Sequence, residues 1–453
     1  MCNLSTMNRQ RFEALVGYTR TPHSILFARE FGWFSNEDER ILGVLTVDIH
    51  DNDFGFVTLG RDANHKFRFI DGENSLSSPD YARQCLYISM KKYASTGESI
   101  FPQGDETRGR RSLFDPAVKE ESRNPNYVHL IESIGYSPAK EIIAEMVHHY
   151  FDVDGNFAEQ FQSSGFDARL WELYLFAYFN EERLFIDRSF TAPDYVVSWF
   201  NESPTCIEAV TVNLSKSGVL SVTHEPETSE EVRDLLDDFM PIKFGSALYS
   251  KLQKRYWELE HAKGKPLVIA IADFHDKNSM TWSSTALFEY LYGVRHKHHY
   301  NGEELVVETI PIEQHEYNGK IIPSGFFKLP ESENISAVLF SASATISKFN
   351  RIGKLAGFGS SDVELLRIGD YHDHDPNASK PIRVSRPVTP ESYSESWGEG
   401  LSMYHNPNAK LPVDENLFPS IAHHHFKDGQ IVSAIPEVHP YSTITMNMVK
   451  KGK

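Results

Sequence analysis

The chain has 453 residues, of which 40% are apolar and 12% aromatic, and this composition argues against global disorder. Its formal net charge of −18 argues against a protein whose whole surface coats nucleic acid, although it allows a local basic face. No uncharged apolar stretch approaches about eighteen residues, and the first residues lack an apolar signal-peptide core. We therefore expect no membrane span. The widely spaced Cys2, Cys85 and Cys206 favour a reducing, cytoplasmic environment.

The first region, residues 1–125, is predicted to form a small α+β domain. Apolar segments predict strands over residues 40–49, 54–59 and 66–70. Ser78, Pro79 and Asp80 are typical of a helix start, so a helix is expected over 78–93. The polar stretch 97–126 is expected to be a long loop or linker.

The second region, residues 126–285, is predicted to alternate between helices and apolar strands. The expected helices cover 137–150, 156–180 and the basic segment 242–257, with a short acidic helix starting at Ser229. The expected strands cover 184–187, 192–197, 206–212 and 266–271.

Three acidic side chains in this region occupy positions that suggest metal chemistry. Glu172 lies among apolar residues of a helix, Asp194 follows Pro193 at the start of a strand, and Glu208 interrupts an apolar strand. Carboxylates on adjacent strands can share a Mg²⁺ ion, which retains several waters. For Glu172, a salt bridge to Arg169 or Arg188 would explain a buried carboxylate equally well.

The order helix, strands, helix, strand, together with Pro193-Asp194 and Glu208, resembles the PD-(D/E)XK nuclease-like superfamily. The resemblance implies an α/β (α+β overall) chain with a mixed-sheet nuclease-like core, flanked by a small N-terminal α+β region and a loop-rich C-terminal region. It further implies an enzyme that hydrolyses nucleic-acid phosphodiester bonds with Mg²⁺ or Mn²⁺, held by Asp194, Glu208 and Glu172. The expected substrate is DNA rather than RNA, and the expected role is defence against foreign DNA. The protein could also form a homo-oligomer or bind a partner protein of a defence system.

The sequence departs from the family pattern at the catalytic lysine. The motif requires Glu-x-Lys, but Glu208 and Ala209 are followed by Val210. Some members of the superfamily carry the lysine on the next helix, which makes Lys251 the predicted catalytic lysine here. Lys243, Lys254 and Lys216 are weaker candidates. The departure leaves open an alternative, a nuclease-like module that binds nucleic acid without cutting it.

Basic residues cluster on two predicted helices and in one loop. The residues expected to contact nucleic acid are Lys243, Lys254, Arg255, Lys348 and Arg351. Three further arginines, Arg108, Arg110 and Arg111, lie in the polar loop. Each cluster is also compatible with an ordinary solvated face.

The third region, residues 286–453, is predicted to contain a strand pair, 304–312 with 320–322, and a helix over 345–355. Beyond residue 370 the chain is rich in Pro, Asn, His and Ser, and we expect ordered loops.

Histidines in this region suggest a second alternative function. Three clusters lie at 296–299, 372–375 and 423–425. His372 and His374, with Asp373 and Asp375, offer ligands for a transition metal and hence for a histidine-metal hydrolase or oxygenase. No cluster has the spacing of a helical zinc site, so solvated loops also explain them.

The whole chain also resembles an uncharacterised bacterial family. The shared runs are 167–176, 207–213 and 346–351. Some members carry the label "glycosaminoglycan attachment site", which names no tested chemistry.

Overall fold

A computed structural model describes residues 4–106, 112–200, 202–214, 226–276 and 278–450. Lys216 and the arginines of the polar loop, Arg108, Arg110 and Arg111, lie outside these described residues. The chain combines helices with mixed sheets, which confirms the predicted α+β class.

The α-helices of the described residues are α1 (Arg9–Val16), α2 (Pro79–Ser95), α3 (Pro125–Glu132), α4 (Ser137–Val147), α5 (Phe157–Gln162), α6 (Phe166–Glu181), α7 (Ser229–Asp234), α8 (Met240–Leu252), α9 (Ser284–Tyr292) and α10 (Ile346–Leu355). The first ten strands are β1 (Leu4–Thr6), β2 (Ala28–Asn36), β3 (Ile41–Asp48), β4 (Phe54–Arg61), β5 (Phe67–Leu76), β6 (Phe185–Asp187), β7 (Tyr195–Ser198), β8 (Thr205–Asn213), β9 (Leu267–Phe274) and β10 (Val294–Asn301). The remaining strands are β11 (Glu304–Pro311), β12 (Gln314–Tyr317), β13 (Lys320–Pro323), β14 (Ala337–Ser341), β15 (Val363–Tyr371), β16 (Ile382–Pro387), β17 (Leu401–His405), β18 (Ala422–Lys427), β19 (Gln430–Ala434) and β20 (Pro440–Val449).

The N-terminal sheet is an antiparallel meander in the order β1-β2-β3-β4-β5, covered by α2. Gly43 of β3 allows the helix to approach closely, since a Cβ atom there would lie 2.6 Å from the Met90 sulfur and 2.7 Å from a Leu86 methyl. The three predicted strands and the helix are present, and β2 and α1 are additional elements.

A mixed eight-stranded sheet forms the centre of the molecule, in the order β19-β18-β17-β14-β9-β8-β7-β6. β8, β9 and β14 are mutually parallel, and β9 is almost entirely buried, as an apolar strand between two helical layers requires. Helix α6 packs on one face, where the Trp171 indole donates a hydrogen bond to the Ala270 carbonyl at 3.0 Å. Helix α8 packs on the opposite face.

The elements α6, β6, β7, β8, α8 and β9 follow the predicted order, with two differences in helix bounds. The predicted helix over 156–180 is divided into α5 and α6. The basic helix ends at Leu252, because Arg255 adopts a left-handed conformation with φ of 51° and starts a separate turn.

The C-terminal region corrects two predictions. The chain beyond residue 370 is not mainly loop, since β17, β18 and β19 extend the central sheet and β16, β15 and β20 form a separate one. The predicted pairing of 304–312 with 320–322 is replaced by two separate hairpins. The strand over 304–311 pairs with β10, and the turn at Asn318-Gly319 joins β12 to β13. The central sheet thus includes strands from both sides of the predicted boundary at residue 285. No helix among the described residues is long and apolar enough to cross a membrane.

Candidate functional site

Asp194 and Glu208 lie side by side where β7 pairs with β8. The antiparallel register places Tyr195 opposite Ile207, so Asp194, one residue before β7, continues the register opposite Glu208. Tyr195 and Ile207 point into the core beneath α6. Because side chains alternate along a strand, Glu208 points to the α8 face. Asp194 is close enough for the charges of Glu208 and Lys251 to shift its pKa. The Ala209 backbone N–H donates to Asp194 Oδ2 at 2.7 Å.

The two carboxylate oxygens of Glu208 have different environments. Oε1 accepts hydrogen bonds from Lys251 Nζ at 2.6 Å and from the Tyr256 hydroxyl at 2.7 Å. Oε2 is buried and has no hydrogen-bond partner among the described residues. A buried carboxylate oxygen without a partner is costly, which indicates a place for a bound water or cation.

Asp194 has a strongly altered protonation equilibrium. Burial, reinforced by the negative charges of Glu208 and Glu172, raises the pKa of Asp194 to about 8. The Ala209 N–H and Lys251 oppose this increase. Asp194 therefore retains a proton near neutral pH unless a further positive charge approaches it.

Glu172 is held by arginines, which confirms the salt-bridge alternative for this residue. Arg169 Nη1 lies 2.6 Å from Glu172 Oε1, and Arg188 Nη2 lies 3.3 Å from Oε2. The Tyr150 hydroxyl donates to Oε2 at 2.6 Å. The Arg188 guanidinium also stacks 3.9 Å from the centre of the Tyr150 ring. Both carboxylate oxygens of Glu172 therefore have protein partners.

We expect Glu172→Ala to destabilise the fold by up to about 3 kcal/mol, because it leaves two partly buried guanidinium groups without their anion. Urea unfolding of this variant and of Glu172→Gln measures the effect, with the exposed Glu230→Gln as control. A Glu172→Ala protein with wild-type stability would contradict this structural role.

The basic residues expected to contact nucleic acid divide into exposed and buried groups. Lys254 and Arg255 are exposed at the end of α8, where Arg255 forms ion pairs with Glu258 and Glu331. Lys243 is buried, and its ammonium donates to the Asn213 carbonyl at 3.1 Å, so the prediction that it contacts nucleic acid is wrong.

Lys348 and Arg351 do not lie on a nucleic-acid face, and the prediction for them is wrong. They are 0% and 2% exposed and contact Glu395 at 2.9 and 2.7 Å. Burial alone would raise the pKa of Glu395, but the charges of Arg351, Lys348 and Arg367 hold that pKa well below its usual value. These two cations therefore neutralise a buried acid and cannot reach a phosphate.

The histidines of the 372–375 segment line a cavity of about 720 Å³. His372 Nδ1 lies 2.6 Å from the Tyr441 hydroxyl, and His374 Nε2 lies 3.2 Å from the Glu437 carbonyl oxygen. Asp373 and Asp375 accept hydrogen bonds from backbone N–H groups of their own loop.

Two groups of three potential metal ligands come together in the described part of the chain. Their ligand atoms all lie within 4.8 Å of one another. One is the acidic turn of Asp48, Asp51 and Asp53, and the other is His405, Glu415 and His423. Sequence reasoning noted His423 but missed His405 and Glu415, since only the pairing of β17 with β18 brings them together.

No protein-family model, curated protein or solved structure matches this chain. The geometry around Asp194 and Glu208 is therefore the basis for a functional assignment.

Proposed function

We propose that this protein hydrolyses nucleic-acid phosphodiester bonds with a divalent metal ion, using a PD-(D/E)XK-like core formed by α6 to β9. The observation that carries the proposal is the arrangement of Asp194 and Glu208 on paired strands, with Lys251 in contact with Glu208. Lys251, from α8, would take the role that the family pattern gives to a lysine at the position of Val210. The proposed substrate is DNA, the proposed role is defence, and the proposed location is the cytoplasm.

The residues present fit Mg²⁺ or Mn²⁺. Asp194 and Glu208 provide carboxylate oxygens, the ligands that these ions prefer, and Glu208 Oε2 has no hydrogen-bond partner in the part of the chain that the structure describes. A bound ion would also supply the positive charge that Asp194 needs in order to lose its proton. When bound, such an ion polarises a phosphodiester and activates water. Both carboxylate oxygens of Glu172 already accept hydrogen bonds from protein groups, so Glu172 would support the site indirectly rather than bind the ion. It contacts Arg188, which also donates to the Asp194 carbonyl oxygen at 3.3 Å.

The basic side chains have distinct proposed roles. Lys251 positions Glu208 and offers a positive charge beside the phosphate oxygens as negative charge develops on them. Lys254 and Arg255, exposed after α8, hold the sugar-phosphate backbone. These local charges would attract nucleic acid despite the net negative charge of the chain.

A binding module without cleavage is the second candidate. It is favoured by Val210 in the motif position and by the salt bridge that already engages Lys251 with Glu208. Both candidates require nucleic acid to bind near α8, but only the first requires Asp194 and Glu208 for turnover.

The test is cleavage of supercoiled DNA, linear DNA and single-stranded RNA by the purified protein with Mg²⁺, Mn²⁺ or a chelator. We expect metal-dependent nicking that Glu208→Gln abolishes and the exposed Glu230→Gln preserves. Thermal unfolding confirms that each variant is folded. Binding without cleavage by the wild type supports the second candidate, and neither binding nor cleavage by folded protein contradicts both.

A further inference from the structure

A second cluster, formed by His405, Glu415, His423 and His425, lies near the opposite edge of the central sheet. His405 ends β17, while His423 and His425 lie on β18. Two strands, β14 and β9, separate this cluster from β8. From these four residues we propose a zinc site in which His405, His423 and Glu415 are the ligands.

Pairing of parallel strands brings the imidazoles together. Met403 of β17 is opposite His423 of β18, so the register continues to place His405 beside His425. The His405 and His425 rings stack with 4.2 Å between their centres and 8° between their planes. His405 Nε2 lies 2.9 Å from His423 Nδ1. Both His405 and His423 are buried, at 7% and 5% exposure.

The hydrogen bonds around the cluster fix the tautomer of His423. His423 Nε2 lies 2.9 Å from the Phe418 carbonyl oxygen, which only accepts, so this nitrogen carries the proton. In a neutral ring, Nδ1 of His423 then has a lone pair directed at His405. His405 Nε2 then donates to His423 Nδ1 in the metal-free protein, and binding of a cation between the rings would move that proton to Nδ1 of His405. A histidine that donates from one nitrogen to a backbone carbonyl while binding metal with the other is a common arrangement in metal sites.

Glu415 completes the ligand set. Its Oε1 lies 2.9 Å from His425 Nε2, a contact that orients the carboxylate as outer partners of metal ligands do. The ligand atoms of His405, Glu415 and His423 all lie within 4.8 Å of one another. Zinc bonds of about 2.0–2.1 Å in a tetrahedron separate ligand atoms by roughly 3.3 Å, so small side-chain shifts suffice.

The position in the fold indicates what the ion would do. β17 and β18 are parallel, and the crossover between them contains only a short turn at Glu415–Leu417. Such crossovers usually contain a helix that packs on the sheet. A zinc ion bound by both strands and by the turn would fix this irregular connection, and imidazole ligands favour zinc over Mg²⁺.

The test is zinc retention by the full chain. Protein stripped with a chelator and reconstituted with Zn²⁺ is expected to retain about one zinc per chain by elemental analysis after gel filtration. His405→Gln, His423→Gln and Glu415→Gln should lose this zinc, and His425→Gln should weaken its binding by about 10–100-fold. His298→Gln, an exposed histidine on β10, and His374→Gln should retain it.

Thermal unfolding and Co²⁺ substitution keep the result interpretable if a histidine variant folds poorly. Zn²⁺ should raise the melting temperature of the wild type but not of Glu415→Gln, whose side chain is 48% exposed and tolerates substitution. Bound Co²⁺ should give visible d–d absorption that the ligand variants lack. Failure of the wild type to retain zinc, or equal retention by the ligand variants, overturns the proposal. Asp194→Asn should leave zinc retention unchanged, so this test is independent of the nuclease proposal.

Discussion

Replacing Lys251 by alanine is expected to reduce metal-dependent cleavage by about 10²–10³-fold, the loss typical for one preorganised charge at a reaction centre. The reason is geometric, because Lys251 is in direct contact with Glu208 and is close enough to Asp194 for its charge to shift the pKa of that residue. Lys254→Ala is the matched control, since Lys254 is exposed three residues further along the chain. It should weaken nucleic-acid binding with little effect on turnover. The slope of the logarithm of the binding constant against the logarithm of the salt concentration should decrease by about one, as expected for the loss of one phosphate contact.

The two lysine variants are compared in single-turnover cleavage at saturating protein and in binding over a range of salt concentrations. Single-turnover rates separate chemistry from affinity, so a true catalytic loss remains at saturation. In Lys251→Ala, Glu208 loses its contact with the lysine but retains its hydrogen bond from Tyr256. Thermal unfolding shows whether this loss destabilises the protein. Equal, small effects of the two substitutions on cleavage would remove Lys251 from the mechanism.

The sequence predicted the elements around this site well because local patterns determine them. The apolar run of β9 and the segment 170–179 of α6, apolar except for Glu172, are buried in the structure, as such patterns predict. Glu208 stood out because a charged residue within an apolar strand needs a partner, and the structure provides Lys251 and Tyr256.

Side-chain partners distant in sequence were harder to predict. Lys348 and Arg351 resembled a surface cluster because nothing local indicated Glu395, 44 residues beyond Arg351, as their buried counter-ion. Arg169, by contrast, is one helical turn from Glu172, and their salt bridge was an explicit alternative. The three consecutive histidines of β18 appeared to belong to a loop, because their strand is defined only by pairing with β17 and β19.

Binding of Mg²⁺ at the proposed site is expected to release a proton from Asp194 near neutral pH. With a pKa of about 8, the carboxyl group is mostly protonated at pH 7, and an incoming cation must displace that proton. Apparent Mg²⁺ affinity should therefore rise as pH increases from about 6 to about 8 and level off above the pKa. Calorimetric titration in buffers of different ionisation enthalpy measures the released proton, which Asp194→Asn should eliminate along with metal-dependent cleavage.

The same shift predicts how folding stability depends on pH without metal. The pKa of Asp194 rises from 3.8 to about 8 on folding, so between these values the native state binds more protons than the unfolded state. The stabilisation associated with this proton is present at low pH and is lost as pH rises towards about 8. Asp194→Asn cannot ionise, so this variant should lose less stability than the wild type between about pH 5 and pH 8.

Urea unfolding at both pH values, with metal removed, measures this difference, and Asp154→Asn at an exposed position serves as the control. At pH 8 the Asp194→Asn protein should be at least as stable as the wild type, because the negative charges of ionised Asp194 and of Glu208 repel each other. Parallel stability profiles for the wild type and Asp194→Asn would mean that Asp194 ionises normally in the folded protein. The proton release on Mg²⁺ binding would then be absent as well, because both effects have their origin in one protonated carboxyl group beside Glu208.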